Sequence, residues 1–74
     1  MPALPLLRPR DVVRAFEQLG WQVVRKRGSH IVLTNAEMPA TLSVPDHAMV
    51  ARGTLRGLIS KASLTVEEFL AAVR

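Results

Sequence analysis

The 74-residue chain has no cysteine and no tyrosine, and its aromatics are one tryptophan and two phenylalanines. Without thiols there is no disulfide framework, no thiolate metal site and no cysteine nucleophile. The two histidines, His30 and His47, stand well apart in sequence and there is no His-Glu-x-x-His, so neither a metal nor another cofactor is expected. No apolar run approaches the roughly 18 residues of a membrane span. The apolar start at residues 1–7 is too short and too broken by Pro2 and Pro5 for a signal peptide. A soluble cytoplasmic protein with no membrane partner is the plain expectation. Acidic residues are also scarce: six Asp and Glu against ten Lys and Arg leave a net charge of +4. That sign favours a polyanion, either nucleic acid or an acidic protein that imitates it, although many small soluble domains carry as much.

What is present suits one small domain. Apolar residues make up 49% of the chain, enough for a compact core and too many for a disordered tail. A chain of this length buries only about 60% of its unfolded surface, so a deep cleft is not expected. Any site should be shallow and open to a long, flexible substrate. Residues 1–7 read as an N-terminal arm, loose or packed down, and residues 8–74 as a single domain.

Pro9 suits the first position of a helix and Asp11 its positive end. Val12, Val13, Phe16 and Leu19 recur at helical spacing, and Gly20 is placed to end the helix in a left-handed conformation. Three strand candidates follow at residues 21–26, 29–34 and 40–44, with turns at 27–28 and 35–39. Period-two alternation puts Trp21, Val23, Ile31, Leu33, Ala40, Leu42 and Val44 on a core face. It puts Gln22, Val24, Lys26, His30, Val32, Thr34, Thr41 and Ser43 on the other. A one-residue slip in any strand would exchange its faces. Residues 45–53 read as a loop, and Thr54 as the cap of a helix that turns Leu55, Leu58 and Ile59 inward. Thr65-Val66-Glu67-Glu68 has the capping-box form and opens a last short helix. The expected fold is α+β: a two-layer α-β-β-β-α domain whose three-stranded antiparallel sheet has helices on one face.

Four pieces of the sequence, in this order and spacing, resemble one family: Gly20-Trp21; Gly28-Ser29-His30 followed by apolar strand residues; Val44-Pro45-x-His47; and Gly53-Thr54-Leu55-Arg56-x-Leu58-Ile59. Together they are similar to the HicA (YcfA-like) toxins, and the likeness runs over about residues 8–70. The resemblance implies a fold like that of a double-stranded RNA-binding domain and an mRNA interferase activity within a type II toxin–antitoxin module. It also implies neutralisation by a HicB antitoxin. The family's catalytic histidine, in its Gly-Ser-His segment, corresponds to His30. The connection at residues 35–40 lacks the basic residue that family members often carry there.

The residues themselves bear on that chemistry. RNA scission needs a base for the 2′-OH proton, an acid for the leaving 5′-oxygen and positive charge near phosphorus. An imidazole holds both protonation states close to neutrality. His30 follows Arg25, Lys26 and Arg27 across a glycine turn, which brings proton transfer and positive charge together. Its bland alternative is a half-buried strand histidine held by a hydrogen bond. By alternation only Lys26 shares the sheet face of His30, with Arg27 reaching it from the turn. Gly28 serves the turn and also permits close approach of backbone to phosphate. Ser29 is a turn residue or a phosphate hydrogen bonder, with no activating triad to make it a nucleophile. His47 fits three roles: second acid or base, phosphate ligand, or a loop residue that fixes its turn. Arg52, Arg56 and Lys61 extend the footprint along the helix or meet an acidic antitoxin. Trp21, on the core face, is read as core. Val24 and Val32 form a small apolar patch on the histidine face, for bases or for the antitoxin.

Three other readings compete with a ribonuclease. A non-catalytic RNA-binding domain of the same shape would bind duplex through its form and 2′-OH groups. A helix–turn–helix at residues 53–72 would set Glu67 and Glu68 against DNA, which is poor chemistry. A protein-docking module would use the basic face alone, and a neighbouring gene for a small acidic protein favours the toxin over it.

Overall fold

The computed structural model describes residues 3–73. In order, its elements are α1 (Pro9–Gln18), β1 (Gln22–Arg27), β2 (His30–Asn35), β3 (Met38–Pro45), α2 (Arg52–Lys61) and α3 (Val66–Ala72). The strands form one antiparallel sheet in the order β1-β2-β3. α1 packs on β1 and β3, α2 on β3, and α3 on α1 and α2. This is the expected two-layer α+β architecture, similar to that of a double-stranded RNA-binding domain.

Each turn of chain has a local cause. Pro9 opens α1, where a missing N–H costs nothing, and the Arg8 carbonyl accepts from the amides of Asp11 and Val12. The helix closes in a Schellman motif: Gly20 takes φ +99°, its amide donates to Glu17, and the Trp21 amide donates to Phe16. The accompanying apolar contact is an edge-on pair of the Phe16 and Trp21 rings, with centroids 6.4 Å apart. α2 ends the same way, with Ser63 in the left-handed position at φ +59° and the Leu64 amide donating to Ile59. The Thr65–Glu68 capping box is formed in both directions, at 2.8 and 3.0 Å.

The core lies between the sheet and the helices. Phe16, Phe69, Leu33, Leu42, Leu55 and Val44 are completely buried there, and Trp21 nearly so. Leu4 is buried as well, and the Val50 amide donates to the Leu7 carbonyl at 2.7 Å in a bridge between arm and loop. The described part of the arm is therefore packed down. Met1 and Pro2 lie outside the described residues.

Several boundaries differ from the sequence reading. α2 begins at Arg52 with Ala51 as its cap, so Thr54 sits inside the helix and caps nothing. β1 runs on to Arg27, and the turn is Gly28-Ser29, with positive φ at Gly28 alone (+58°), as a type II′ hairpin requires. β3 begins at Met38, because an Asn35 Oδ1 that accepts from the Glu37 amide tightens the turn. Pro39 is tolerated in β3 because β3 is an edge strand.

One difference matters for the site. Val23 pairs with Leu33, but the next pair is Arg25 with Val32, so Val24 is an extra residue in a β-bulge. Beyond it the faces of β1 are exchanged.

Candidate nucleic-acid interface

The bulge decides which basic residues accompany His30. Directly opposed residues of an antiparallel pair share a face. Arg25 opposes Val32 and Arg27 opposes His30, while Lys26 opposes Ile31. Strict alternation had put Lys26, and not the arginines, on the histidine face. The structure corrects this: Arg25 and Arg27 stand beside His30, and Lys26 is on the helix-bearing side.

Among the described residues, no helix covers the sheet face opposite α1, α2 and α3. β1 contributes Gln22, Arg25 and Arg27, β2 contributes His30, Val32 and Thr34, and β3 contributes Thr41, Ser43 and Pro45. It holds no Asp or Glu, so its charge is entirely cationic. His30 is exposed at the start of the central strand, between Arg27 on one neighbour and Pro45 on the other. Val32 is 6% exposed between Arg25 and Ser43, so it is a filled centre of that face and no open patch. Val24 stands out in the bulge at 48% exposure, beside Val23 at 42%. The described surface has no enclosed pocket, and a polymer would meet it as an open plane.

Gly28 and Ser29, both exposed, form the turn that leads into His30. A Cβ at Gly28 would meet nothing within 4 Å, so a ligand has free approach to that backbone. His47 follows Pro45 by two residues. With Pro45 directly across from His30, the two histidine Cα atoms are at most about 13 Å apart. Arg56 and Lys61 are exposed on α2, in the helical layer, and do not join the histidine face. Arg52, at the start of α2, turns its Nε to the Leu4 carbonyl at 2.7 Å and ties the arm to the helix.

Asp46 was not singled out from the sequence. Its carboxylate contacts Lys26 Nζ at 2.6 Å, and its amide donates to the Ser29 carbonyl at 2.6 Å. No local signal announces that pair, because it joins β1 to the loop after β3. Among the described residues there is no cluster of three or more His, Cys, Asp or Glu side chains that would hold a metal ion. No helix among them is long and apolar enough to cross a membrane.

A two-layer domain of this architecture belongs to the structural class of the double-stranded RNA-binding domains, and here it carries a cationic, imidazole-bearing sheet face. Comparison with protein families matches residues 9–64, more than half of the chain, to the HicA toxins of bacterial toxin–antitoxin systems. The chain belongs to the HicA toxin family. Membership carries a toxin role of the nuclease kind and, in general terms, an RNA substrate and an antitoxin partner. A search of curated proteins found no match.

Proposed function

We propose that this protein is a metal-independent endoribonuclease, an mRNA interferase that moves protons with His30 and is neutralised by a HicB-like antitoxin. The observation that supports this reading is the setting of His30. It is exposed on the sheet face that no helix covers, with Arg27 directly opposite it and no carboxylate on that face.

In this mechanism the His30 imidazole accepts the proton of a ribose 2′-OH as its oxygen attacks the adjacent phosphorus. The new P–O2′ bond forms as the P–O5′ bond breaks, and a second proton donor delivers a proton to the departing 5′-oxygen. Arg25 and Arg27 stabilise the negative charge that builds on the phosphoryl oxygens, while Gly28 and Ser29 admit the backbone of the RNA. His47 is the candidate second donor. DNA is not a substrate, because it lacks the attacking hydroxyl. Arg52, Arg56 and Lys61 serve the outer footprint or an acidic antitoxin.

The test is cleavage of single-stranded RNA with excess chelator, comparing the natural chain with His30→Ala. Cleavage should persist in chelator, fall by about a hundredfold or more in the variant, and vanish on an oligonucleotide with 2′-deoxyribose at the scissile position. Undiminished cleavage by His30→Ala would remove the mechanism. Tight RNA binding without cleavage by either protein would instead favour a non-catalytic RNA-binding domain.

A further inference from the structure

Two short contacts converge on one loop residue that the mechanism above does not use. Asp46 Oδ2 lies 2.6 Å from Lys26 Nζ, and the Asp46 amide donates to the Ser29 carbonyl at 2.6 Å. One residue earlier, Pro45 is directly opposite His30 in the ladder. Four residues later, the Val50 amide donates to Leu7 and the Val50 side chain is fully buried. The chain is therefore pinned at both ends of a short span, residues 47–49, and His47 is the first residue of that span. Its Cα stands about 3.8 Å from the Asp46 anchor.

From this geometry we infer that Asp46, held by Lys26, is a positioning residue that fixes His47 next to the Gly28-Ser29 turn as the second proton-handling group. The inference rests on the ribonuclease reading above. The bulge at Val24 is what makes the clamp possible. It turns Lys26 to the side opposite His30, and Asp46, one residue beyond Pro45, meets it there. Lys26 thus acts on the loop, while Arg25 and Arg27 face the substrate.

Charge supports the same assignment. Asp11 and Glu17 are on α1, Glu67 and Glu68 on α3, and Glu37 in the turn at the far end of β2. Among the described residues, Asp46 is the one carboxylate placed beside the His30 turn. Unpaired, it would oppose an incoming phosphate; paired with Lys26, it holds the loop without adding net negative charge. The ion pair is well exposed, at 58% and 34% for the two side chains, so it contributes little to folding. Its loss should displace the loop and leave the domain folded.

The experiment measures kcat and KM on a single-stranded oligoribonucleotide for Asp46→Ala, Lys26→Met, His47→Ala and the double variant Asp46→Ala/His47→Ala. The exchanged pair Lys26→Asp/Asp46→Lys is included, and all variants are first compared by thermal melting. His47→Ala should lower kcat by roughly ten- to a hundredfold. Asp46→Ala, which removes only an exposed ion pair, should lower it by about three- to fivefold, with KM little changed in both. The double variant should fall no further than His47→Ala alone, since the two act through one group. The exchanged pair should recover most of the loss. An additive double variant, a full-rate Asp46→Ala, or a His47→Ala variant with normal kcat would overturn the inference. If Asp46→Ala fails to fold, Lys26→Met and the exchanged pair decide. A collapse of activity in His30→Ala with none in Asp46→Ala sinks the clamp and spares the ribonuclease reading. Full activity in His30→Ala sinks that reading itself.

Discussion

Arg27 stands directly opposite His30 across the β1–β2 ladder, and the reason is Val24 three residues earlier. The bulge advances β1 by one residue, so the side chains after it exchange faces. A strand without that extra residue would have offered the histidine one lysine. With it, two arginines reach the open face, and their planar guanidinium groups suit phosphate better than an ammonium does.

A salt-dependence measurement checks that arrangement. With a non-cleavable 2′-O-methyl oligonucleotide, Arg25→Gln and Arg27→Gln should each weaken binding. Each should also reduce the slope of log K against log salt by about 0.7, the value for one lost phosphate contact on a single strand. Lys61→Gln, on the helical layer, should change the slope less. Equal slopes for all three variants would mean that the sheet face is not the principal contact.

The two left-handed residues should respond oppositely to substitution. Ser63, at φ +59°, bears a strain that glycine relieves, and Ser63→Gly should raise stability by about 0.5–1 kcal/mol after glycine's own entropy is counted. Gly28, at φ +58°, has open space around it. Gly28→Ala should therefore lower stability by about 1 kcal/mol, through backbone strain and not through a clash. Chemical denaturation of both variants checks the signs, and a stabilising Gly28→Ala would contradict the turn geometry.

Phe16 joins the Trp21 ring to the Phe69 ring, whose centroid is 5.1 Å from its own, and it is completely buried. Phe16→Ala should cost about 3–5 kcal/mol. A domain of this size has only about 4–11 kcal/mol in total. The expected result is a melting temperature lowered by at least about 15 °C, or loss of cooperative unfolding. A shift of only a few degrees would mean that the three-ring contact does not anchor the helices to the sheet.

Local signals in the chain were sufficient for much of the fold. Pro9, Gly20 and the Thr65–Glu68 box each act within a turn of their own position, and each behaves as read. The core residues Phe16, Trp21, Leu33, Leu42, Val44, Leu55 and Ile59 followed from periodicity, because one buried face imposes its period on the sequence. Thr54 was misread as a cap because α2 starts two residues sooner, at Arg52, whose side chain reaches the Leu4 carbonyl. Leu4 and Val50 were missed as core because neither belongs to a periodic element. The arm and the loop bury them together through the bridge from Leu7 to Val50.

By itself the amino-acid sequence determined the class of fold, the family and the strand that bears His30. The fold class and the strand depend on interactions between residues near one another in the chain or on a repeating apolar pattern, and the family on the order and spacing of four short motifs. Only the tertiary structure decided that Arg25 and Arg27, and not Lys26, share the histidine's face, and that Asp46 meets Lys26 and the Ser29 carbonyl. Those outcomes depend on the register between strands and on contacts between distant segments. A bulge of one residue changes both and leaves no mark on local composition.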